Sequence, residues 1–272
     1  MIIRYVNSRG DEVNLNKEPY KLLISDLIDY EWKANEKSER IINFQKEIEN
    51  RSLNIDIIKN GSTSSRKLMN DLSDIFEYDV INAVPGRLYI DDNYLTCFLS
   101  SSEKDNWETD AIIQCEYGLV TDYPFWVTEK MFSFGMQQSS TAGTFLDYPH
   151  DYNYDYASEG RNDYVSNDHF GSCDFVMNIF GPAINPEITI AGHIYEVITT
   201  LESSEYLQIN SRDGTVVKVS QTGEMTNEYN NRNKTSSVFE KIPPGDSLVS
   251  WDGNFGFDIT LFVERSEPKW IT

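Results

Sequence analysis

Positive charge is scarce in this chain. Lysine and arginine together number 23 against 44 aspartates and glutamates, a formal net charge of -21. Such a field repels nucleic-acid phosphate and anionic lipid, and no run of Lys and Arg marks a compensating patch. Nucleic acid and membrane are therefore not expected as partners. Histidine is rarer still, with His150, His169 and His193 far apart in sequence. They form no H-E-x-x-H or facial-triad spacing, so no metal site is read from them. Cys97, Cys115 and Cys173 include no C-x-x-C pair, and an odd count at wide spacing argues against a disulfide framework and a structural zinc site. No stretch approaches the ~20 apolar residues needed to cross a bilayer. The opening Met1-Ile2-Ile3-Arg4-Tyr5 lacks the apolar core of a secretory signal, so a soluble chain made in a cytoplasm is expected.

What is present is enough to fold. The chain has 272 residues, 39% of them hydrophobic and 13% aromatic, which suits one large domain or two of ordinary size. The net charge keeps free copies soluble and also makes them repel one another. Any assembly of copies must overcome that repulsion by apolar burial or by charge pairing across the interface.

The patterning is mostly that of short strands. Ile2 to Val6 reads as a strand turning at Arg9-Gly10-Asp11. Leu22 to Trp32 is apolar but irregular. Lys37 to Arg51 reads as a helix, with Ile41, Phe44 and Ile48 at helical spacing, although a bent strand pair has a similar count of apolar positions. Ile55 to Ile58 reads as a strand ending at the turn pair Asn60-Gly61. The clearest helix spans Ser65 to Phe76: Leu68, Leu72 and Ile75 share a face, Asn70, Asp71 and Asp74 take the opposite one, and Ser64 or Ser65 can cap the start. Arg87 to Ile90, Tyr94 to Leu99 and Trp107 to Tyr117 follow as strands, with Ile113 and Cys115 on one side and Ile112 and Gln114 on the other. Tyr123-Pro124-Phe125-Trp126-Val127 closes the first unit.

Segment 133–186 is rich in Ser, Gly, Asn, Asp, Tyr and Pro and reads as a domain junction or an extended loop packed by rings. From Ile188 the pattern is all-β. Hairpins are expected at Ala191-Gly192 and Arg212-Asp213-Gly214, and strands at Val238 to Ile242, Leu248 to Trp251 and Phe257 to Val263. Pro243-Pro244-Gly245 and Asp252-Gly253-Asn254 supply turns. Many short strands at close intervals argue for a sandwich or small jelly roll.

No organised chemistry emerges. Carboxylates are so abundant that a pair proves nothing about glycoside hydrolysis, which needs two at a defined separation. Asp252, Asn254 and Asp258 begin like a calcium loop, but the glycine required next is Phe257 and the closing acid is Val263, so a hairpin turn is preferred. Asp147, Asp151 and Asp155 read as solvation of a tyrosine-rich loop. Gly135, Gly143 and Gly160 are too far apart to cradle phosphate. Cys173 near His169 reads as a small buried apolar residue. Tyr148, Tyr152, Tyr154 and Tyr156 offer large rigid contact area, which suits packing of the junction onto the domains, a subunit interface or sugar stacking. No catalytic, cofactor-binding or metal-ligating residue is assigned, and no cofactor is expected.

Several stretches together resemble one family. They are the helix around Ser65–Phe76, Arg87-Leu88-Tyr89-Ile90, Tyr123-Pro124-Phe125-Trp126 and Phe145-Leu146-Asp147-Tyr148-Pro149-His150-Asp151-Tyr152. Later come Asn185-Pro186-Glu187-Ile188, Leu207-Gln208-Ile209-Asn210-Ser211, Phe239-Glu240-Lys241-Ile242-Pro243-Pro244-Gly245-Asp246 and Glu264-Arg265-Ser266-Glu267-Pro268-Lys269-Trp270. In this order they resemble the phage distal tail protein family, the siphovirus-type tail component. The resemblance implies a mainly β fold: an N-terminal β-rich ring-forming domain with one amphipathic helix, then a C-terminal galectin-like β-sandwich. The expected divisions are a tail-tube-adaptor domain at 1–140, a tyrosine-rich junction with the first part of the second domain at 141–186, the sandwich at 187–263, and a C-terminal segment at 264–272 returning to the first domain.

The implied role is a non-enzymatic structural hub at the distal end of the virion tail. It is implied to be a homo-hexameric ring joining the tail tube protein to the tail-associated hub protein and to receptor-binding or baseplate proteins. Segment 31–51 is longer and more charged than the family pattern, implying an added loop or helix there. The second domain shows no large insertion of the kind that supplies an extra carbohydrate-binding module. Two rivals stay open: a carbohydrate-binding module for host attachment, which glycan retention would support, and a cell-wall glycoside hydrolase, which needs a cleft with paired carboxylates.

Overall fold

The computed structural model describes residues 1–23, 25–105, 107–108, 111–136 and 164–269. The chain forms two compact units. One comprises residues 1–128 with the segment from Glu264 onward, and the other Glu129–Val263.

In the first unit the strands are β1 (Ile3–Val6), β2 (Glu12–Asn14), β3 (Tyr20–Leu22), β4 (Lys33–Lys37), β5 (Arg40–Gln45) and β6 (Glu49–Ile58). Helix α1 (Ser65–Asn82) follows, then β7 (Gly86–Ile90), β8 (Asn93–Asp105), β9 (Ile112–Thr121) and the start of β10 (Trp126–Phe134). Strand β8 serves two antiparallel groups. Its first half pairs with β7, which continues to β1 and β2. Its second half pairs with β9, which continues to β6 and β3. Burial alternates along β6 and β9, so Leu53, Ile55, Ile57, Ile113, Cys115, Tyr117 and Leu119 point into one core. The period of two has that consequence in any strand with one wet face.

Helix α1 covers this core. The Ser64 hydroxyl accepts from the Lys67 amide at 3.3 Å, and Ala83, in the left-handed region at φ 54°, ends the helix. The helix runs six residues past its expected end at Phe76 because its buried face continues with an acid. Ser65, Leu72, Phe76 and Asp79 are the buried positions, and Asp79 interrupts the apolar pattern that marked the face. Its carboxylate accepts from the Tyr5 hydroxyl at 2.6 Å, the Ser8 amide at 2.7 Å and the Ser8 hydroxyl at 2.6 Å. Burial, reinforced by Cys97 and by the bond to Asp79, holds the Tyr5 hydroxyl protonated far above its usual range. A side chain at Gly86 would collide with both Tyr5 and Asp79, which explains the glycine. The Phe76 ring stands edge-on between Tyr5 at 5.1 Å and Tyr117 at 5.0 Å.

The expected helix at 37–51 is not formed. Those residues lie in β5, in the ends of β4 and β6, and in the turns between them. Apolar residues spaced by three and four also fit strands broken by a turn and a bulge.

The second unit has β11 (Tyr164–Asn167), β12 (Asp174–Phe180), β13 (Ala183–Ile184), β14 (Glu187–Ile190), β15 (His193–Glu196), β16 (Thr200–Leu201), β17 (Tyr206–Asn210), β18 (Thr215–Val219), β19 (Met225–Asn227), β20 (Gly245–Trp251) and β21 (Gly256–Arg265). One sheet runs β19-β18-β17-β12-β21, and a second runs β11-β20-β14-β15. Inward residues of both sheets share a core. Phe175 of β12 meets Tyr195 of β15 edge-on at 5.5 Å, which joins the two layers as a sandwich. The hairpin at Ala191-Gly192 has φ 52° and 80°, the left-handed pair that a two-residue turn requires.

Two expectations change here. Within 133–186, β11, β12 and β13 are strands, and β12 lies between β17 and β21 in the middle of its sheet. The polar composition around it concealed the run Phe175-Val176-Met177-Asn178-Ile179. Val238–Ile242 forms no strand. Val238 and Ile242 are fully buried anchors on an irregular segment, tied by a single bridge between Cys173 and Ile242. Trp251 is packed against the core, meeting Phe134 at 5.7 Å and Phe257 at 5.4 Å, whereas Leu248 on the same strand is exposed.

Asp258 sits partly buried on β21, and burial raises its carboxyl above the ordinary 3.8, opposed by a hydrogen bond from Ser133. Between 3.8 and the raised value the folded chain holds more protons than the unfolded one. Stability therefore falls as pH rises through that window. Asp258→Asn is expected to raise the thermal midpoint at pH 7 and to leave it unchanged below the window. Calorimetry across pH checks this, and an equal effect at both ends would contradict it.

Candidate functional site

Among the described residues, one part of the first unit that its own fold leaves uncovered is the β4–β5 hairpin. The two strands pair with each other and, among the described residues, with no other strand. An isolated two-stranded hairpin is marginal in water, and its outer edges carry open backbone donors and acceptors. The turn places Ser38 at φ 51° and Glu39 at φ 62°, a conformation in which glycine or asparagine is usual. Lys37 pairs with Arg40, Glu36 with Ile41 and Asn35 with Asn43, so Ile42 is the extra residue of a bulge.

That bulge keeps the faces in phase. One face carries Lys33, Asn35, Lys37, Arg40, Asn43 and Gln45 with no carboxylate, while Ala34, Glu36, Ile41 and Phe44 take the other. On the first face the Asn35 amide donates to Asn43 Oδ1 and Gln45 Oε1, both at 2.9 Å. Ile41, Ile42 and Phe44 are 56%, 62% and 56% exposed. Apolar side chains left this open on a single projection make it a candidate interaction surface.

The root of the hairpin is anchored by buried and polar contacts. The Lys46 side chain is 1% exposed. Its ammonium lies 5.3 Å from the Tyr30 ring, 5.5 Å from Trp32 and 5.2 Å from Phe125. It donates to the Pro124 carbonyl at 2.9 Å and meets Glu49 at 3.4 Å. Burial lowers its pKa, opposed by the Glu49 carboxylate. Trp32 donates through Nε1 to the Ser266 hydroxyl at 3.1 Å, tying the C-terminal segment to the same root. Arg51 pairs with Glu49 at 2.5 Å and donates to the Leu27 carbonyl. Lys46→Ala is expected to lose about 2 kcal/mol, since it removes the ring contacts and one charged hydrogen bond. The loss should appear first as faster amide exchange across 33–45. Unchanged exchange there would contradict the role given to the cage.

A second surface lies on the outer side of β6, β9 and β8. Asp56, Glu103, Asp105 and Glu116 line a shallow groove of about 780 Å³ together with Leu23, Asn54 and Gln114. Gln114 Nε2 donates to Asp56 Oδ1 at 3.2 Å. All these acids stand on one sheet face. Among the described residues no group of His, Cys, Asp and Glu is arranged to hold a metal ion.

The remaining candidates disperse. His169 meets the backbone of Gly171 at 3.2 Å, and His193 meets the Ser237 carbonyl at 2.8 Å. Asp252 accepts from the Asn254 amide at 2.9 Å within its turn. Cys97, Cys115 and Cys173 are free and buried. The Trp251 ring, partly buried, packs against the core of the second unit. Tyr148, Tyr152, Tyr154, Tyr156, Asp147, Asp151, Asp155, His150, Gly143, Gly160 and Trp270 lie outside the described residues. Among the described residues no helix is long and apolar enough to cross a membrane. The pattern at 37–51 favoured a helix over the bent strand pair that forms there. The departure in length and charge at 31–51 was the available signal.

No protein-family model and no curated protein matches the sequence. Solved structures do match the fold. The SPP1 Dit protein, described as a paradigm of the hub adsorption apparatus in phages infecting Gram-positive hosts, aligns with a TM-score of 0.57 at 7% identity over 97% of this chain and 100% of that one. A chain of the phage P2 baseplate in its activated conformation with Ca aligns at 0.61 and 11% identity over 98% of this chain and 100% of that one. The corresponding baseplate with Sr aligns at 0.62 and 11% identity over 98% and 99%. The chain therefore has the fold of these phage hub and baseplate proteins along nearly its whole length.

Proposed function

We propose that this chain is a distal tail protein, a non-enzymatic hub subunit that forms a closed ring between the phage tail tube and the baseplate. The observation that carries the proposal is the shared fold: both units, in order, align with the full length of chains described as hub or baseplate components. The exposed hairpin supports it, because a projection on one part of a subunit that meets a different part of the next makes a head-to-tail contact. Such contacts close into a ring when the rotation permits. Six copies, a galectin-like second unit, and attachment of the tail tube protein, the tail-associated hub protein and receptor-binding or baseplate proteins complete the proposal. Its place is the distal end of the virion tail.

Native mass spectrometry of the full chain over a range of concentrations tests this. A closed oligomer of one defined size is expected. A chain that stays monomeric with tube and hub proteins added would overturn it.

A further inference from the structure

Resting on the ring assignment above, we infer where the hairpin goes: its polar face seats on the acidic outer face of the β6-β9-β8 sheet in the next copy of the chain. The polar face offers Lys37 and Arg40 side by side in cross-strand register, with no carboxylate among its residues. The sheet face offers Glu103 and Glu116, also side by side in cross-strand register, flanked by Asp56 and Asp105. Directly opposed residues on neighbouring strands sit ~5 Å apart in any antiparallel pair, so the two cations and the two carboxylates share one spacing.

Two features make the sheet face a receiver. Glu103 directly opposite Glu116 is a like-charge pair that weakens the sheet of the free chain. A cation placed between them relieves that repulsion. The outer residues Asn54, Asp56, Gln114 and Glu116 also alternate with core residues on the same strands, so this face is turned away from helix α1 and the core it covers. The occupant follows from charge. In a chain carrying -21, opposite charges that meet at a contact offset the repulsion between copies. On the hairpin face Lys33 is paired with Glu47 at 2.7 Å, so Lys37 and Arg40 are the cations it offers to a neighbour. The apolar side, with Ile41 and Phe44, is left for the flank of the same neighbour.

The test uses two charge-reversed full chains, Lys37→Glu with Arg40→Glu, and Glu103→Lys with Glu116→Lys. Native mass spectrometry should show each variant alone as monomer, with its ring fraction reduced at least tenfold. An equimolar mixture should form rings again with the two variants alternating, because every hairpin then meets a face of opposite charge. Rings that persist in either variant alone overturn the docking and leave the ring assignment standing. Variants that stay monomeric without rescue on mixing also overturn it. A wild-type chain without rings overturns the assignment and the docking together. Should the lysine variant fail to fold, Glu103→Gln with Glu116→Gln serves instead. It should raise the unfolding midpoint of the monomer while weakening the ring about tenfold, and a ring of unchanged affinity would contradict the inference.

Discussion

Replacing Ile41, Ile42 and Phe44 together with serine is expected to abolish ring formation at concentrations where the wild-type chain is fully assembled. Each side chain is more than half exposed in the free subunit, so little of the fold's stability depends on it. Substitutions of this kind move monomer stability by about 0.5 kcal/mol or less. The proposed ring contact covers the same side chains, and burying an aliphatic or aromatic side chain contributes about 1.5–3 kcal/mol. Three lost at every subunit contact weaken it by several kcal/mol, and each 1.4 kcal/mol is about tenfold in affinity. The threshold for assembly should rise by at least about a hundredfold with an unchanged unfolding midpoint. Sedimentation velocity with calorimetry on the same sample checks both halves. Retained rings would remove the hairpin from the interface.

Asp79→Ala is expected to act by the opposite route, unfolding the first unit. The Asp79 carboxylate is fully buried and accepts three hydrogen bonds from Tyr5 and Ser8. Its removal leaves a buried hydroxyl and an amide without their acceptor, at about 1–3 kcal/mol for each unsatisfied group. A loss of about 3–5 kcal/mol is expected, which is a large share of a typical domain's total stability. Tyr5→Phe removes one donor and leaves the carboxylate its two Ser8 bonds, so about 1–2 kcal/mol is expected there. Urea titration of the two variants measures the difference. An Asp79→Ala loss below about 1 kcal/mol would contradict the account of the helix end. Rings should disappear in Asp79→Ala because the subunit unfolds and in the serine variant because it does not associate, so the two failures are separable by one midpoint.

Much of this fold was legible wherever local chemistry and global structure agreed. The helix start at Ser64–Ser65, the turn pairs Ala191-Gly192 and Asp213-Gly214, and the alternation of Ile113 and Cys115 against Ile112 and Gln114 each follow from a residue doing what its type favours. The misses fall where tertiary contacts decide. The helix end was hidden because Asp79 is a core residue of charged type. The β4–β5 hairpin was hidden because Ser38 and Glu39 adopt turn angles usually held by Asn and Gly, and because the bulge at Ile42 breaks the period of two. Strand β12 was hidden by the polar composition on either side of it, and Val238 and Ile242 fill the core from a segment without a strand's backbone. The candidate surface was visible only as an irregularity of length and charge at 31–51. Which of its faces is basic and which apolar depends on a register that no linear pattern specifies.

The central claim is that subunits of this chain join head to tail through the hairpin at 33–45. Electron cryomicroscopy of the purified full chain tests it most directly. The account predicts closed rings with a central opening, each hairpin lying on the β6-β9-β8 sheet of its neighbour. Lone particles, or rings in which every hairpin stands clear of the adjacent copy, would contradict it.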